Sequence, residues 1–206
     1  MTDGKSIVFV VDDDPSVRQA LGKLIQTIGL DVRTFASAED FLNQDRPDRP
    51  SCLILDARLP GMSGLELQSR LSELPIPIIF ISGYANVPMS VHALKAGAID
   101  FLEKPFHNQS LLDSVWRAIE KDRKRREERD ETDRIRRRIQ SLTLREREVL
   151  TGVVAGKPNK QIAFELGISE QTVKVHRAHV MEKMKAESLA DLVRLTRKGG
   201  MDSSRI

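Results

Sequence analysis

Asp12, Asp13 and Asp14 stand directly after the apolar run Ile7–Val11, and Asp56 directly after Cys52–Leu55. Ser82 follows Ile76–Ile81, and Lys104 lies just past Ile99–Leu102. Carboxylates brought close together repel one another, so such a cluster makes sense around a hard cation, and Mg2+ prefers carboxylate and water oxygens in an octahedron. A hydroxyl and an ammonium beside them add the donors that a phosphoryl group needs. Together these residue types suit the transfer of phosphate onto a carboxylate. Each also has a plainer reading. Asp14 before Pro15 fits a helix N-cap with proline at the first helical position, and it is not counted as a ligand. Ser82 before Gly83 fits a turn, and Lys104 before Pro105 a solvated lysine. The chemical reading is favoured because four strand ends carry it at once.

Converging strand ends require elements that bring them to one rim. The apolar runs Ile7–Val11, Val32–Phe35, Cys52–Leu55, Ile76–Ile81 and Ile99–Leu102 read as five strands. Between them Pro15–Gly29, Ala38–Leu42, Gly64–Leu74 and Met89–Ala96 repeat apolar residues three or four apart and read as helices. Strict alternation of this kind implies a mostly parallel sheet with helices on both faces, and such sheets place ligands at the carboxyl ends of their strands. From Leu111 a helical pattern runs into a charged stretch without Pro or Gly, residues 119–140, expected to be a helical linker. Acid-before-base pairs four apart support it: Glu120/Lys124, Asp122/Arg126, Asp130/Arg134 and Asp133/Arg137. The run reads as a solvated helix face, because no apolar seam for a coiled coil is sustained from Ile119 to Ile135. Residues 141–198 show no strand signal and read as four helices, Thr143–Ala155, Asn159–Leu166, Glu170–Lys185 and Ser188–Arg197.

The chain has 206 residues, room for one large domain or two modest ones. At 40% hydrophobic and 31% charged it is an ordinary globular composition. The longest unbroken apolar run, Ile7–Val11, falls far short of the roughly 18 residues of a membrane span. Aspartates follow that run where a cleavage site would be expected, so no secretory signal is visible and a cytoplasmic protein is expected. The single cysteine, Cys52, reads as core. A net charge of +3 conceals a division: residues 1–118 sum to −4, 119–139 to +3 and 140–206 to +4. An acidic front half on a basic back half fits a regulated domain joined to one that meets a polyanion.

Residues 8–18 (VFVVDDDPSVR), 53–64 (LILDARLPGMSG), 79–83 (IFISG) and 95–106 (KAGAIDFLEKPF) resemble the receiver domain of bacterial two-component response regulators. The resemblance covers about the first 120 residues. It implies a flavodoxin-like, doubly wound five-stranded parallel sheet. Asp56 would be the phospho-accepting aspartate, and Asp12 and Asp13 the acidic pair, with Asp13 the more direct ligand of Mg2+. The backbone carbonyl of Arg58 would also meet the metal. Ser82 would be the switch hydroxyl, Phe101 the switch aromatic and Lys104 the phosphate-pairing lysine, with a cis Lys104–Pro105 bond. A rival is the DxD nucleophile motif of haloacid-dehalogenase-like phosphatases, in which Asp12 would be the nucleophile. That reading gives no reason for residues 56–64 and leaves little room for a cap insert.

Residues 142–193 resemble the LuxR-type four-helix DNA-binding module. Ile162–Leu166, Gly167 in the turn and Ser169 capping a helix with Val173 and Val180 inward make a helix-turn-helix. Thr172, Lys174, His176 and Arg177 are expected on the exposed face of the second helix. The resemblance puts Lys174 and Val175 near base edges, and Asn159, Lys160 and Thr172 toward phosphates. The whole chain is thus expected to be a FixJ/NarL-type regulator: receiver 1–118, charged helical linker 119–140 and all-α DNA-binding domain 141–206. Its expected partners are a sensor histidine kinase, promoter DNA and RNA polymerase, with a homodimer on phosphorylation, no membrane, and no enzymatic role beyond its own phosphoryl transfer and hydrolysis. The alternative from another class is a receiver-controlled module that binds protein instead of DNA.

Overall fold

The computed structural model describes residues 6–71, 76–84 and 86–201. Two compact units emerge, Met1–Arg126 and Glu127–Ile206. In the first, β1 (Ile7–Val11), β2 (Asp31–Phe35), β3 (Ser51–Asp56), β4 (Ile78–Ser82) and β5 (Asp100–Glu103) form a sheet ordered β2-β1-β3-β4-β5, every pair parallel. Helices α1 (Pro15–Thr27), α2 (Ala38–Leu42), α3 (Gly64–Arg70) and α4 (Val87–Lys95) alternate with the strands, and α5 (Asn108–Gln140) follows the last.

Apart from Ser51, Asp56 and Ser82 at their ends, the central strands β1, β3 and β4 are apolar because both faces are covered. Phe9, Val11, Leu53, Leu55 and Phe80 share one core with Phe41 of α2, Leu67 of α3 and Ala93 of α4. Their sequence neighbours Val8, Val10, Cys52, Ile54, Ile79 and Ile81 face Leu21 and Ile25 of α1 and Leu111, Val115 and Ile119 of α5. Cys52 is fully buried. β4 begins two residues later than the apolar run that marks it, since Pro77 has no N–H to donate to the ladder, although its carbonyl still accepts from Leu53. α4 starts earlier than Met89 because the Asn86 side chain accepts from the Met89 N–H and Pro88 fits the first turn. The expected end of α3 at Leu74 lies outside the described residues.

The charged stretch is helical, but it is not simply a solvated face. Asp122 is 0% exposed: its carboxylate accepts the Ser51 N–H at 2.9 Å and pairs with Arg125 and Arg126, and Arg126 also reaches Asp48. Of the four expected pairs, Glu120–Lys124 and Asp122–Arg126 form, whereas Arg134 turns to the Asp130 backbone carbonyl and Asp133 pairs with Arg136. The division between the units falls inside α5, after Arg126, and of residues 119–126 before it Ile119 and Asp122 are the buried positions.

In the second unit α6 (Leu144–Val154), α7 (Asn159–Leu166), α8 (Glu170–Met184) and α9 (Leu189–Lys198) surround Val149, Leu150, Ile162, Val173, Val180 and Leu192, with Ile135 of α5. Thr143 and Glu146 form a capping box on α6, Ser169 caps α8 and Ser188 caps α9. Gly167 ends α7 at φ +65°, the left-handed conformation that a tight helix-to-helix turn needs.

Candidate functional site

Four parallel strands deliver the site. β1 ends at Val11 and β3 at Asp56, which are neighbours in the sheet, so Asp12, Asp13 and Asp56 meet with carboxylate oxygens within 4.8 Å of one another. Asp12 and Asp56 are buried and Asp13 is exposed. Lys104, just past β5, bridges the two buried carboxylates, its Nζ 2.6 Å from Asp12 Oδ2 and 2.7 Å from Asp56 Oδ2. Burial alone would lower the Lys104 ammonium, but its hydrogen bonds to Asp12 and Asp56 outweigh that and hold it above its ordinary value. Burial raises Asp12 above the ordinary carboxylate value, against the pull of Lys104 and of the Asp14 N–H.

The remaining oxygens are held by backbone. Asp12 Oδ1 accepts from the Asp14 N–H at 2.9 Å, and Asp56 Oδ1 from the Arg58 N–H at 2.8 Å. Ser82, fully buried at the end of β4, accepts the Tyr84 N–H at 3.2 Å on its hydroxyl oxygen, and its carbonyl accepts the Lys104 N–H at 2.8 Å. The Lys104–Pro105 peptide is cis. Phe101 is half-buried, stacked on Phe80 with ring centroids 5.9 Å apart. Asp14 does cap α1, accepting from Ser16, and takes no part in the cluster.

The side chains of Arg18 and Arg58, for which the sequence suggested no role, also shape the rim. Arg18 Nη1 donates to the carbonyls of Asp12 (2.7 Å) and Asp13 (2.9 Å), fixing the loop that presents both carboxylates. The Arg58 guanidinium lies 4.8 Å over the Tyr84 ring, joining the loops after β3 and β4. The donor set of carboxylates close together, one of them exposed, fits a hard divalent cation.

The helix-turn-helix residues divide differently from the sequence expectation. Lys160, Lys174 and Val175 are exposed, but Thr172, His176 and Arg177 are half-buried. Helical period is the reason: positions 173, 176, 177 and 180 share one side of α8, and Val173 and Val180 are its core contacts. Arg177 therefore reaches back to α7, donating to Asn159 Oδ1 at 2.7 Å. Thr172 is held by Ser169, whose hydroxyl accepts the Thr172 N–H.

Residues 8–116 match the family model "Response regulator receiver domain", and residues 140–196 that of "Bacterial regulatory proteins, luxR family". Nodulation protein W of Bradyrhizobium diazoefficiens is 50% identical over 97% of this chain and 89% of its own. The transcriptional regulatory protein FixJ of Rhizobium meliloti is 46% identical over 96% of this chain and 98% of its own. Among solved structures, the response regulator StyR superposes with a TM-score of 0.85 at 49% identity, covering 95% of this chain and all of that one. Full-length FixJ from B. japonicum gives 0.55 at 38% identity, covering 98% and 100%. Neither the phosphatase-like reading nor a module without DNA binding is favoured by these matches.

Proposed function

Because this chain belongs to the two-component response regulators that join a receiver domain to a LuxR-type DNA-binding domain, we propose that Asp56 is the residue through which its transcriptional output is switched. The family implies a histidine kinase as donor and DNA as target. The observation that carries the assignment is the Lys104 bridge, which holds Asp56 Oδ2 against Asp12 while leaving Asp13 open to solvent.

Asp12, Asp13, Asp56 and the Arg58 carbonyl would hold Mg2+. When bound, the ion neutralises the phosphoryl oxygens and so lowers the repulsion that an anionic nucleophile meets. Within the chain, the Arg58 N–H orients the Asp56 carboxylate, and one of its oxygens attacks phosphorus. A P–O bond forms, the bond to the donor breaks, and its electron pair leaves with the donor group. Charge then moves from the carboxylate to the phosphoryl oxygens, and the Lys104 ammonium follows it. The Ser82 oxygen already accepts from Tyr84, so its proton is the part free to donate to phosphate after the side chain turns.

Such a turn draws in the loop after β4, with Phe101 as the aromatic that answers it. Tyr84, Val87, Val91 and Leu94 are large apolar groups left exposed on that loop and on α4, which supports a homodimer face there. In the second unit Lys174 and Val175 read bases, while Asn159, Lys160 and Thr172 face phosphates, with His176 and Arg177 beside them. RNA polymerase would be met at the promoter. No helix among the described residues is long and apolar enough to cross a membrane.

Labelling with acetyl phosphate tests the assignment. Incorporation should require Mg2+ and vanish in Asp56→Asn. Label that persists in Asp56→Asn and disappears in Asp12→Asn would overturn it.

A further inference from the structure

Beside the amino-terminal end of β4, away from the acidic rim, lies a cavity of about 390 Å3. A volume of this size lies within the range of small-molecule pockets. Leu71, Ile76 and Ile78 supply an apolar wall. Buried Gln68 stiffens the neighbouring wall: its Nε2 donates to the carbonyls of Ala93 and Ala96, each at 3.2 Å, and so fixes the last turn of α4 against α3. The remaining side belongs to α5, where Lys121 and Arg125 stand four apart and hence on one helix face.

Those two cations are not fully used. The adjacent carboxylate, Asp122, is already shared by the Ser51 N–H, Arg125 and Arg126, and Lys121 has no ion-pair partner among the described residues. Arg125 reaches Asp122 only through Nη2, and its Nε is buried without a hydrogen-bond partner. A buried N–H on a cation is costly unless an acceptor meets it, and a carboxylate is the acceptor that suits a guanidinium best.

We propose that this cavity is a binding site for a small organic acid, with one carboxylate directed to Lys121 and Arg125 and a compact apolar body against Leu71, Ile76 and Ile78. The site is distinct from Asp56 and its rim. A neutral molecule of the same shape forfeits the charged contact, and a bare inorganic anion forfeits the apolar wall.

Benzoate is the probe, titrated calorimetrically into the full chain, with benzamide as its uncharged counterpart at matched ionic strength. A ligand this small should bind one per chain with a Kd on the order of 1 mM. Benzamide should bind about tenfold more weakly, and Lys121→Gln should weaken benzoate by about fivefold. Ala96→Phe, which fills the cavity, should abolish binding, whereas Asp56→Asn should leave it unchanged. If Ala96→Phe does not fold, Lys121→Gln at an exposed position decides. No saturable benzoate binding by about 20 mM, equal affinity for benzamide, or unchanged affinity in Lys121→Gln would overturn the proposal.

Discussion

Gly64 opens α3 hard against the backbone of Asp56, the proposed acceptor of phosphate. A Cβ there would stand 2.3 Å from the Asp56 carbonyl oxygen and 3.1 Å from the Ala57 Cα, neither of which can swing aside as a side-chain tip could. Gly64→Ala should therefore cost about 1–3 kcal/mol in denaturant unfolding and slow acetyl phosphate labelling of Asp56. Normal labelling would show that the loop yields elsewhere. Glu146 offers a pH test. It is 3% exposed, and its hydrogen bond to Lys183, with those from Thr143, pulls its pKa from 4.5 to about 2 in spite of burial. The folded value lies below the ordinary one, so this stabilisation is complete above the ordinary value and is lost as pH falls toward the folded one. Glu146→Gln should flatten the acid limb of stability over that window; an acid limb that superimposes on the wild type would count against the assignment. Residues of this kind differ in how far sequence reveals them. Asp12, Asp56 and Ser82 are legible because each directly follows an apolar run that reads as a buried strand, and Lys104 because it lies just past another such run. Arg18 is not, because its acceptors are main-chain carbonyls that no pattern marks.

α8 owes the face proposed to read DNA to what its other side must bury. With Val173 and Val180 in the core, the first two turns leave Glu170, Gln171, Lys174 and Val175 exposed. Lys174→Ala should weaken a specific duplex by about 1–3 kcal/mol and relax preference at one base pair. Lys160→Ala, at the start of α7, should weaken specific and scrambled duplexes alike. Equal losses on both duplexes for Lys174→Ala would make it a phosphate contact. Element types were legible here from period and caps, and element edges less so, since Pro77 and Asn86 shift β4 and α4 by two residues for reasons of single hydrogen bonds. α5 shows the limit most clearly. Asp122 pairs with Arg126 four residues on, the mark of a solvated face, yet it continues the stripe Leu111, Val115 and Ile119 into the interior. Its partner there is a backbone N–H of β3, contributed by chain 71 residues away.

Across the whole chain the charges are sorted: residues 1–118 sum to −4 and residues 119–206 to +7. DNA affinity should accordingly depend steeply on salt. If a phosphorylated dimer neutralises about six phosphates, binding should fall roughly a thousandfold between 50 and 200 mM salt. A flat titration would mean that α8 and its surroundings are not the nucleic-acid face. One further property of the molecule follows from where its lone sulfur lies. Cys52 sits in mid-sheet opposite Val8, fully buried, and burial with the nearby charge of Asp122 pushes its thiol pKa well up. A maleimide or disulfide reagent can therefore reach it only when the sheet comes apart. Since the chain holds no other cysteine, its labelling rate should report the opening of the receiver alone, blind to whatever the helical unit does. Adding Mg2+ and acetyl phosphate should slow that labelling in proportion to the stability they confer, a reading of receiver occupancy that needs neither radiolabel nor DNA.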